Sequence, residues 1–208
     1  MVKSVFLVLV GATWALALTV SGEMSFDRAR LGFNERDGMT YVSLERYMST
    51  WEVGAPSLPI AVAQFVVPPD MKVTGVTAVQ VESDTQGRYD IYPVQPPMTI
   101  SETEPPDYVP PDVKYYGSPY PGSVVTAGHQ GSMFGYSIAS VFVSPVQYNG
   151  ADRSLVFHSR VRFSIELEPA DLGYLVPGNR SAEARRRVEK MIADLVINPQ
   201  DIPVCAPR

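Results

Sequence analysis

The residues best suited to covalent chemistry are one cysteine and two histidines. Cys205 is the only cysteine of the chain, and His129 and His158 are the only histidines. A thiol nucleophile needs an imidazole base within hydrogen-bonding distance. Cys205 lies in a tail with no obvious packing, His129 in a glycine-flanked loop and His158 on the polar face of a strand. We therefore predict no thiol–imidazole pair, two surface histidines and no enzymatic activity for this chain alone.

A metal or cofactor site is not predicted either. The two histidines are 29 positions apart, and a single cysteine excludes both a cysteine-based zinc site and an internal disulfide framework. Glu102 and Glu104 are close in sequence, but nothing in their proline-rich setting would raise a carboxyl pKa. We interpret them as solvated charges.

Composition indicates a folded chain with an acidic balance. Of 208 residues, 45% are apolar and 19% charged, and the net charge is −5. This apolar content is enough to form a packed core. No block of Lys or Arg is large enough to track phosphates, so nucleic acid is not an expected partner.

The dominant hydrophobic period is two, which predicts β-strands. It is clearest at residues 155–167, where six apolar side chains share one face: Leu155, Phe157, Val161, Phe163, Ile165 and Leu167. Residues 58–67 and 73–82 also resemble strands, and a slip of the apolar phase between Ala78 and Val79 predicts a β-bulge.

The remaining β-signals complete an antiparallel β-sandwich. Residues 136–146 predict a central strand, joined to the next strand by a hairpin over residues 147–154 that contains Asn149-Gly150. Gln86-Gly87 predicts a turn. Residues 25–34 and 39–44 predict a first hairpin around Asp37-Gly38. About seven short strands with turns between them are typical of a sandwich.

Two segments differ from this β-pattern. Residues 93–121 contain nine of the 19 prolines, which predicts an extended loop, either functional or a solvated linker. Near the end, Ser181 predicts an N-cap, and Val188, Met191, Ile192 and Leu195 repeat at helical spacing. The fold class is thus mainly β, with a proline-rich loop and one C-terminal amphipathic helix.

The first residues have the pattern of a secretory signal peptide. Lys3 precedes an apolar run, and small residues predict cleavage after Ala17 or Gly22. A membrane anchor is the alternative, but the run is shorter than the roughly 20 residues that cross a bilayer. We assign residues 1–22 to the signal, 23–175 to the sandwich and 176–208 to the C-terminal helix and tail, in an extracytoplasmic protein without a membrane span after cleavage.

Arginines near the C-terminus have two interpretations. Arg185, Arg186 and Arg187 form either a proteolytic processing site or the exposed face of the last helix. Arg187 and Arg208 are the candidate processing sites.

Several motifs resemble the gingipain-type cysteine peptidase propeptide. They are the Gly54-Ala55-Pro56-Ser57-Leu58-Pro59 run before a strand, the strand exit Ile91-Tyr92-Pro93-Val94-Gln95-Pro96-Pro97, the Tyr120-Pro121-Gly122 segment, and the hairpin sequence Pro145-Val146-Gln147-Tyr148-Asn149. Gly150 stands where the family usually has proline. The resemblance extends over about residues 54–168.

The resemblance implies a role as well as a fold. Such propeptides are β-sandwiches that precede a caspase-like cysteine peptidase domain in secreted bacterial proteases, assist its folding and hold it latent. The partner is that peptidase domain, in cis or in trans. The alternative function is a secreted β-sandwich adhesion or surface-binding module.

The family also implies an inhibitory loop after the proline-bearing strand exit. There a basic residue enters the primary specificity pocket of the protease. Residues 89–113 contain no Lys or Arg, so Met98, Thr99 and Ile100 are the candidate inhibitory residues here. Arg88 and Lys114, which flank the region, are the alternative basic anchors.

Overall fold

The fold was obtained as a computed structural model, which describes residues 18–98, 104, 106–173 and 181–207. Within these residues there are eleven strands: β1 Leu18–Ser25, β2 Leu31–Arg36, β3 Met39–Leu44, β4 Met48–Ser49, β5 Pro59–Val67, β6 Met71–Arg88, β7 Pro119–Tyr120, β8 Val125–Met133, β9 Tyr136–Val143, β10 Val146–Asn149 and β11 Ser154–Pro169. Two α-helices, α1 (Val113–Tyr116) and α2 (Ala182–Leu195), accompany them. No helix in these ranges is long and apolar enough to cross a membrane.

The strands form two larger antiparallel sheets and a separate hairpin. In the five-stranded sheet, β11 pairs with β6 along one edge and with β1 and β10 along the other, and β7 extends the sheet beyond β10. The four-stranded sheet has the order β4-β5-β9-β8, and β2 pairs with β3 alone. The core contains residues of both larger sheets. The rings of Phe65 and Phe163 pack edge to face, with their centres 5.7 Å apart. The predicted β-sandwich is therefore confirmed.

The period-two pattern of β11 is confirmed in detail. All six of the predicted inward-facing apolar residues are buried. The predicted bulge is also present, because Arg162 pairs with Gln80 while Phe163 pairs with Ala78. Val79 is the extra residue, and its side chain is 69% exposed.

The predicted turn at Gln86-Gly87 is wrong. Strand β6 continues to Arg88, and Gln86 is a second bulge, because Leu155 pairs with Gly87 and Val156 with Thr85. Gly87 has a φ of +131°, a conformation that is readily available only to glycine. The strand can continue because the long β11 offers partners for its whole length.

Strand limits differ from prediction at two other places. The Asp37-Gly38 hairpin is present, but β2 starts only at Leu31, because Asp27 caps a short 3-10 helix, Arg28–Arg30. The predicted strand over residues 136–146 is two strands: β9 ends at Val143, and Val146 begins β10 in the other sheet. The β10–β11 hairpin then turns at residues 150–153.

The described part of residues 93–121 is mostly irregular, as predicted. The pattern missed two short elements within it, helix α1 and strand β7. Asp112 caps α1 by accepting a hydrogen bond from the Lys114 backbone N–H. A capped turn of four residues carries too little hydrophobic periodicity to be seen in sequence.

The C-terminal helix begins as predicted. The Ser181 hydroxyl caps α2 by accepting from the Ala184 N–H. Val188 and Ile192 are buried, whereas Met191 is 53% exposed and Leu195 37% exposed, so the buried stripe is narrower than predicted. The helix and the residues after it form a second core on the four-stranded sheet: Val66, Tyr136, Ile138, Val188, Ile192, Val196, Ile202 and Cys205.

Candidate functional site

The residues first considered for catalysis lie in different parts of the sandwich. Cys205 belongs to the second core beside α2. His158 lies in β11, and His129 is an exposed residue at a bulge of β8 rather than in a loop. Within the described residues, no group of His, Cys, Asp or Glu could hold a metal ion.

Cys205 does not lie in a loosely packed tail. It is only 2% exposed, because the 3-10 turn after α2 folds it against the four-stranded sheet. Burial, aided by the carboxylates of Asp201 and Asp70, raises the thiol pKa to about 11. A thiol with this pKa is protonated at neutral pH and is a poor nucleophile.

We expect the Cys205 thiol to react with Ellman's reagent at pH 8 on the order of a hundredfold more slowly in the native chain than in urea. A rise of two pKa units lowers the thiolate fraction by that factor, and burial also hinders access. The measurement is the rate of absorbance change in buffer and in denaturant. Equal rates would show that the tail is not packed.

His158 is also buried, contrary to its predicted place on a polar surface. It is 4% exposed, and burial lowers its pKa, so the ring is neutral at pH 7. Its Nδ1 lies 2.8 Å from the Ser83 hydroxyl and its Nε2 lies 3.1 Å from Oε1 of Gln147. The Gln147 amide donates in turn to the Pro121 carbonyl. A proton on Nε2 satisfies this chain of bonds, which gives His158 a structural role.

We call the residues between Gln95 and Val109 the projecting segment, because Met98 and residues 106–108, which the structure describes at its two ends, are exposed. Its first stem, residues 91–95, and its second stem, residues 109–112, lie on a platform formed by residues 54–57, which belong to the Gly-x-Pro-x-Leu-Pro motif. Val94 exchanges two backbone hydrogen bonds with the platform, from the Gly54 N–H at 2.9 Å and to the Ala55 carbonyl at 2.7 Å. On the second stem, the Asp112 N–H donates to the Gly54 carbonyl at 3.0 Å.

Glycine is required where the platform meets the second stem. Gly54 has a φ of +83°, and a Cβ there would lie 3.2 Å from Cβ of Asp112. Ala55 and Leu58 are fully buried. Thr50 secures the same motif, because its hydroxyl donates to the Pro56 carbonyl and accepts from the Leu58 N–H. The motif therefore serves as the support of the projecting segment.

A single amide side chain ties the two stems to each other. Nε2 of Gln95 donates to the Val109 carbonyl at 2.9 Å and to the Pro93 carbonyl at 3.1 Å. Oε1 of Gln95 accepts from the Val109 N–H at 2.9 Å. The sequence analysis included Gln95 only as part of the strand-exit motif and missed its role, because a lone polar side chain between prolines gives no periodic signal.

Tyrosines attach the stems to the sandwich. The hydroxyls of Tyr116 and Tyr148 donate to the carbonyls of Ile91 and Tyr89, at 2.7 and 3.0 Å. Burial raises the pKa of both phenols. These phenols are thus neutral donors across the physiological pH range, and the first stem is fixed on the core.

The predicted anchors that the structure describes are exposed and lie beside the two stems. Met98 is 54% exposed beyond the first stem. Thr99 and Ile100 lie outside the described residues. Arg88 is exposed at the end of β6, and Lys114 is exposed on α1, where its Nζ lies 4.8 Å from the centre of the Tyr115 ring.

The predicted processing sites lie in the C-terminal region. Arg187 is on the exposed face of α2 and forms an ion pair with Glu183 one turn earlier. Arg208 lies outside the described residues. Cleavage after Arg187 would require local opening of the helix.

Comparison with known proteins agrees with the fold. One similar solved structure is described as "Complex of Porphyromonas gingivalis RgpB pro- and mature domains"; it is 16% identical, with a TM-score of 0.67 over 92% of this chain and 95% of that one. Another is described as "Structural insight into zymogenic latency of gingipain K from Porphyromonas gingivalis"; it is 21% identical, with a TM-score of 0.59 over 73% of this chain and 88% of that one. The comparison with curated protein sequences returned no match.

Family membership follows from the sequence itself. The family model Propeptide_C25 matches residues 25–175, and it describes the propeptide rather than the catalytic domain of these proteases. The match spans most of the chain, from the end of β1 past the end of β11. The chain therefore belongs to the Propeptide_C25 family, the propeptides of gingipain-type cysteine peptidases.

Proposed function

We propose that this propeptide binds the peptidase domain of a gingipain-type cysteine protease, assists its folding and keeps it latent until the propeptide is removed. Family membership and the similarity to structures described as a pro- and mature-domain complex and as zymogenic latency support the proposal. The partner domain is supplied in cis or in trans. The observation that carries the proposal is the pair of stems held on the platform of residues 54–57, beyond which the described residues Met98 and 106–108 are exposed.

An uncharged residue is the proposed occupant of the specificity pocket. Residues 89–113 contain neither Lys nor Arg. Met98 is exposed and adjacent to the first stem, and we assign the contact to Met98, Thr99 and Ile100. An acidic residue such as Glu102 would be repelled from a pocket lined by carboxylates. The cognate peptidase thus prefers an uncharged residue before the scissile bond.

Titration of a gingipain-type peptidase with the purified propeptide tests the function. The substrates are peptides with an uncharged residue, arginine or lysine before the scissile bond. We expect saturable inhibition, strongest for the peptidase that cleaves after the uncharged residue, and no hydrolysis by the propeptide alone. Absence of inhibition across the peptidases that cleave these three substrates would contradict the proposal.

The leader is proposed to be removed after Ala17, so that the exported protein starts at Leu18. The structural support is β1, whose eight residues Leu18–Ser25 all pair with β11. Cleavage after Gly22 would remove most of this strand. We expect N-terminal sequencing of the secreted protein to begin Leu-Thr-Val-Ser. A start at Glu23 would mean that most of this strand is dispensable, and recovery of residues 1–22 in a cytoplasmic form would contradict export.

A further inference from the structure

The stems of the projecting segment cannot be joined by an ordinary β-ladder. Prolines occupy positions 93, 96, 97, 106, 110 and 111, and proline has no backbone N–H to donate. Val94 is the non-proline residue of the first stem nearest the platform, and both of its backbone polar groups are bonded to Gly54 and Ala55. Val94 therefore has no backbone N–H or carbonyl left to pair with the second stem.

The side chain of Gln95 supplies what the backbone lacks. Its carboxamide presents one acceptor and two donors. The acceptor and one donor meet the N–H and carbonyl of Val109, as a neighbouring strand would, and the amide also reaches the Pro93 carbonyl. Gln95 and Val109 are 14 positions apart, so a single side chain joins the two ends of the projecting segment.

We propose that Gln95 is a positioning residue for inhibition: by joining both stems, it fixes the direction in which residues 96–98 leave the platform toward the peptidase. This inference rests on the proposed function. A segment with fixed ends loses less conformational freedom when it binds. Without the three hydrogen bonds of the Gln95 side chain, which we call the clamp, the second stem is held by the contact between the Tyr92 and Tyr108 rings, by α1 and by the Asp112–Gly54 bond. Residues 96–98 then leave the platform in a wider range of directions.

Two variants separate the hydrogen bonds from the shape of the side chain. Gln95→Ala removes the clamp. Gln95→Glu keeps the shape but, when ionised, has no donor for the carbonyls of Val109 and Pro93. Gln200→Ala and Gln200→Glu are the matched controls, because Gln200 is exposed in the short 3-10 helix Pro199–Asp201, away from the stems.

Hydrogen exchange in the isolated chain tests the clamp without any partner. The Val109 amide donates to Oε1 of Gln95, so we expect it to exchange about tenfold or more faster in Gln95→Ala, which removes this acceptor. Gln95→Glu keeps an acceptor for the Val109 N–H and loses only the bonds to the carbonyls of Val109 and Pro93. The amides of β11 should exchange as in the wild type, which separates local release from a general loss of stability. Unchanged exchange at Val109 in Gln95→Ala would overturn the proposal.

Association kinetics with the peptidase test the positioning role. We expect both Gln95 variants to associate about tenfold more slowly with the peptidase that the wild type inhibits, because a free segment must reorganise on binding. The Gln200 controls should match the wild type. Rapid Val109 exchange with unchanged association and inhibition would overturn the proposal. A wild-type chain that inhibits nothing removes the proposed function, and the positioning role with it, before any variant is compared.

Discussion

Replacing Met98 by aspartate should weaken inhibition of the cognate peptidase about thirtyfold or more. Met98 is 54% exposed in the free propeptide, and in the proposed complex its side chain is buried in the specificity pocket. Loss of a buried apolar anchor costs roughly 2 kcal/mol, which corresponds to that factor in affinity. An introduced carboxylate adds the cost of its desolvation. The measurement is the inhibition constant from progress curves.

Met191→Asp is the matched control for this substitution. Met191 is 53% exposed on α2, so both variants place a new charge at an equally accessible methionine. We expect Met191→Asp to inhibit like the wild type and neither variant to change the unfolding midpoint much. Ile100→Asp should act in the same direction as Met98→Asp.

The same assay distinguishes an apolar anchor from a basic one. Arg88→Ala and Lys114→Ala remove the two cations that flank the segment. Both lie on regular elements, β6 and α1, and neither can enter a pocket unless that element shifts. If only these two variants weaken inhibition, the apolar anchor is wrong and the basic-residue mechanism of the family applies.

The sandwich was predictable because its strands carry strong periodic signals. In β11, six inward side chains alternate with polar ones, and even the bulge at Val79 was visible as a slip of the apolar phase. The limits of strands were less predictable. Gln86-Gly87 resembles a turn in sequence, but pairing with the long strand β11 makes Gln86 a bulge within β6. The pairing of distant segments decided the outcome, and local sequence does not encode it.

The frame of the candidate site could not be predicted, because amide side chains create it. Gln95 joins the stems, and elsewhere Asn198 bonds both backbone groups of Val66 on the edge of β5. Gln130 likewise accepts from the Val73 N–H and donates to the Met71 carbonyl. These amides are partly or fully buried but look like surface residues in a hydrophobicity pattern. Their roles depend on contacts between residues far apart in sequence.

Buried ionisable groups were mispredicted for the same reason. Cys205 and His158 were placed on the surface because each lies in a polar or irregular stretch of sequence. Packing of the tail against the four-stranded sheet buries the thiol, and the Ser83–His158–Gln147 network satisfies the imidazole. The prediction that these groups do not form a catalytic pair still agrees with membership in a propeptide family.

Phe163→Ala should produce the largest loss of stability, about 3–5 kcal/mol in the free energy of unfolding. Phe163 is 1% exposed, and its ring packs edge to face on Phe65 between the two sheets. It also covers its cross-strand partner Gly22, where a Cβ would lie 2.7 Å from the Phe163 ring. Removing the ring therefore opens a cavity at the contact of β1, β11 and β5. The measurement is urea unfolding followed by circular dichroism.

Val79→Ala, in the bulge of the same sheet, is the control. Val79 is 69% exposed, and surface substitutions of this kind change stability by no more than about 0.5 kcal/mol. A domain of this kind has about 5–15 kcal/mol of stability in total, so Phe163→Ala removes a large part of it while leaving every residue of the projecting segment unchanged. A loss below about 1 kcal/mol would mean that β1, β11 and β5 do not share this core. A large loss would show that the contact between the two sheets contributes a large part of the stability of the sandwich.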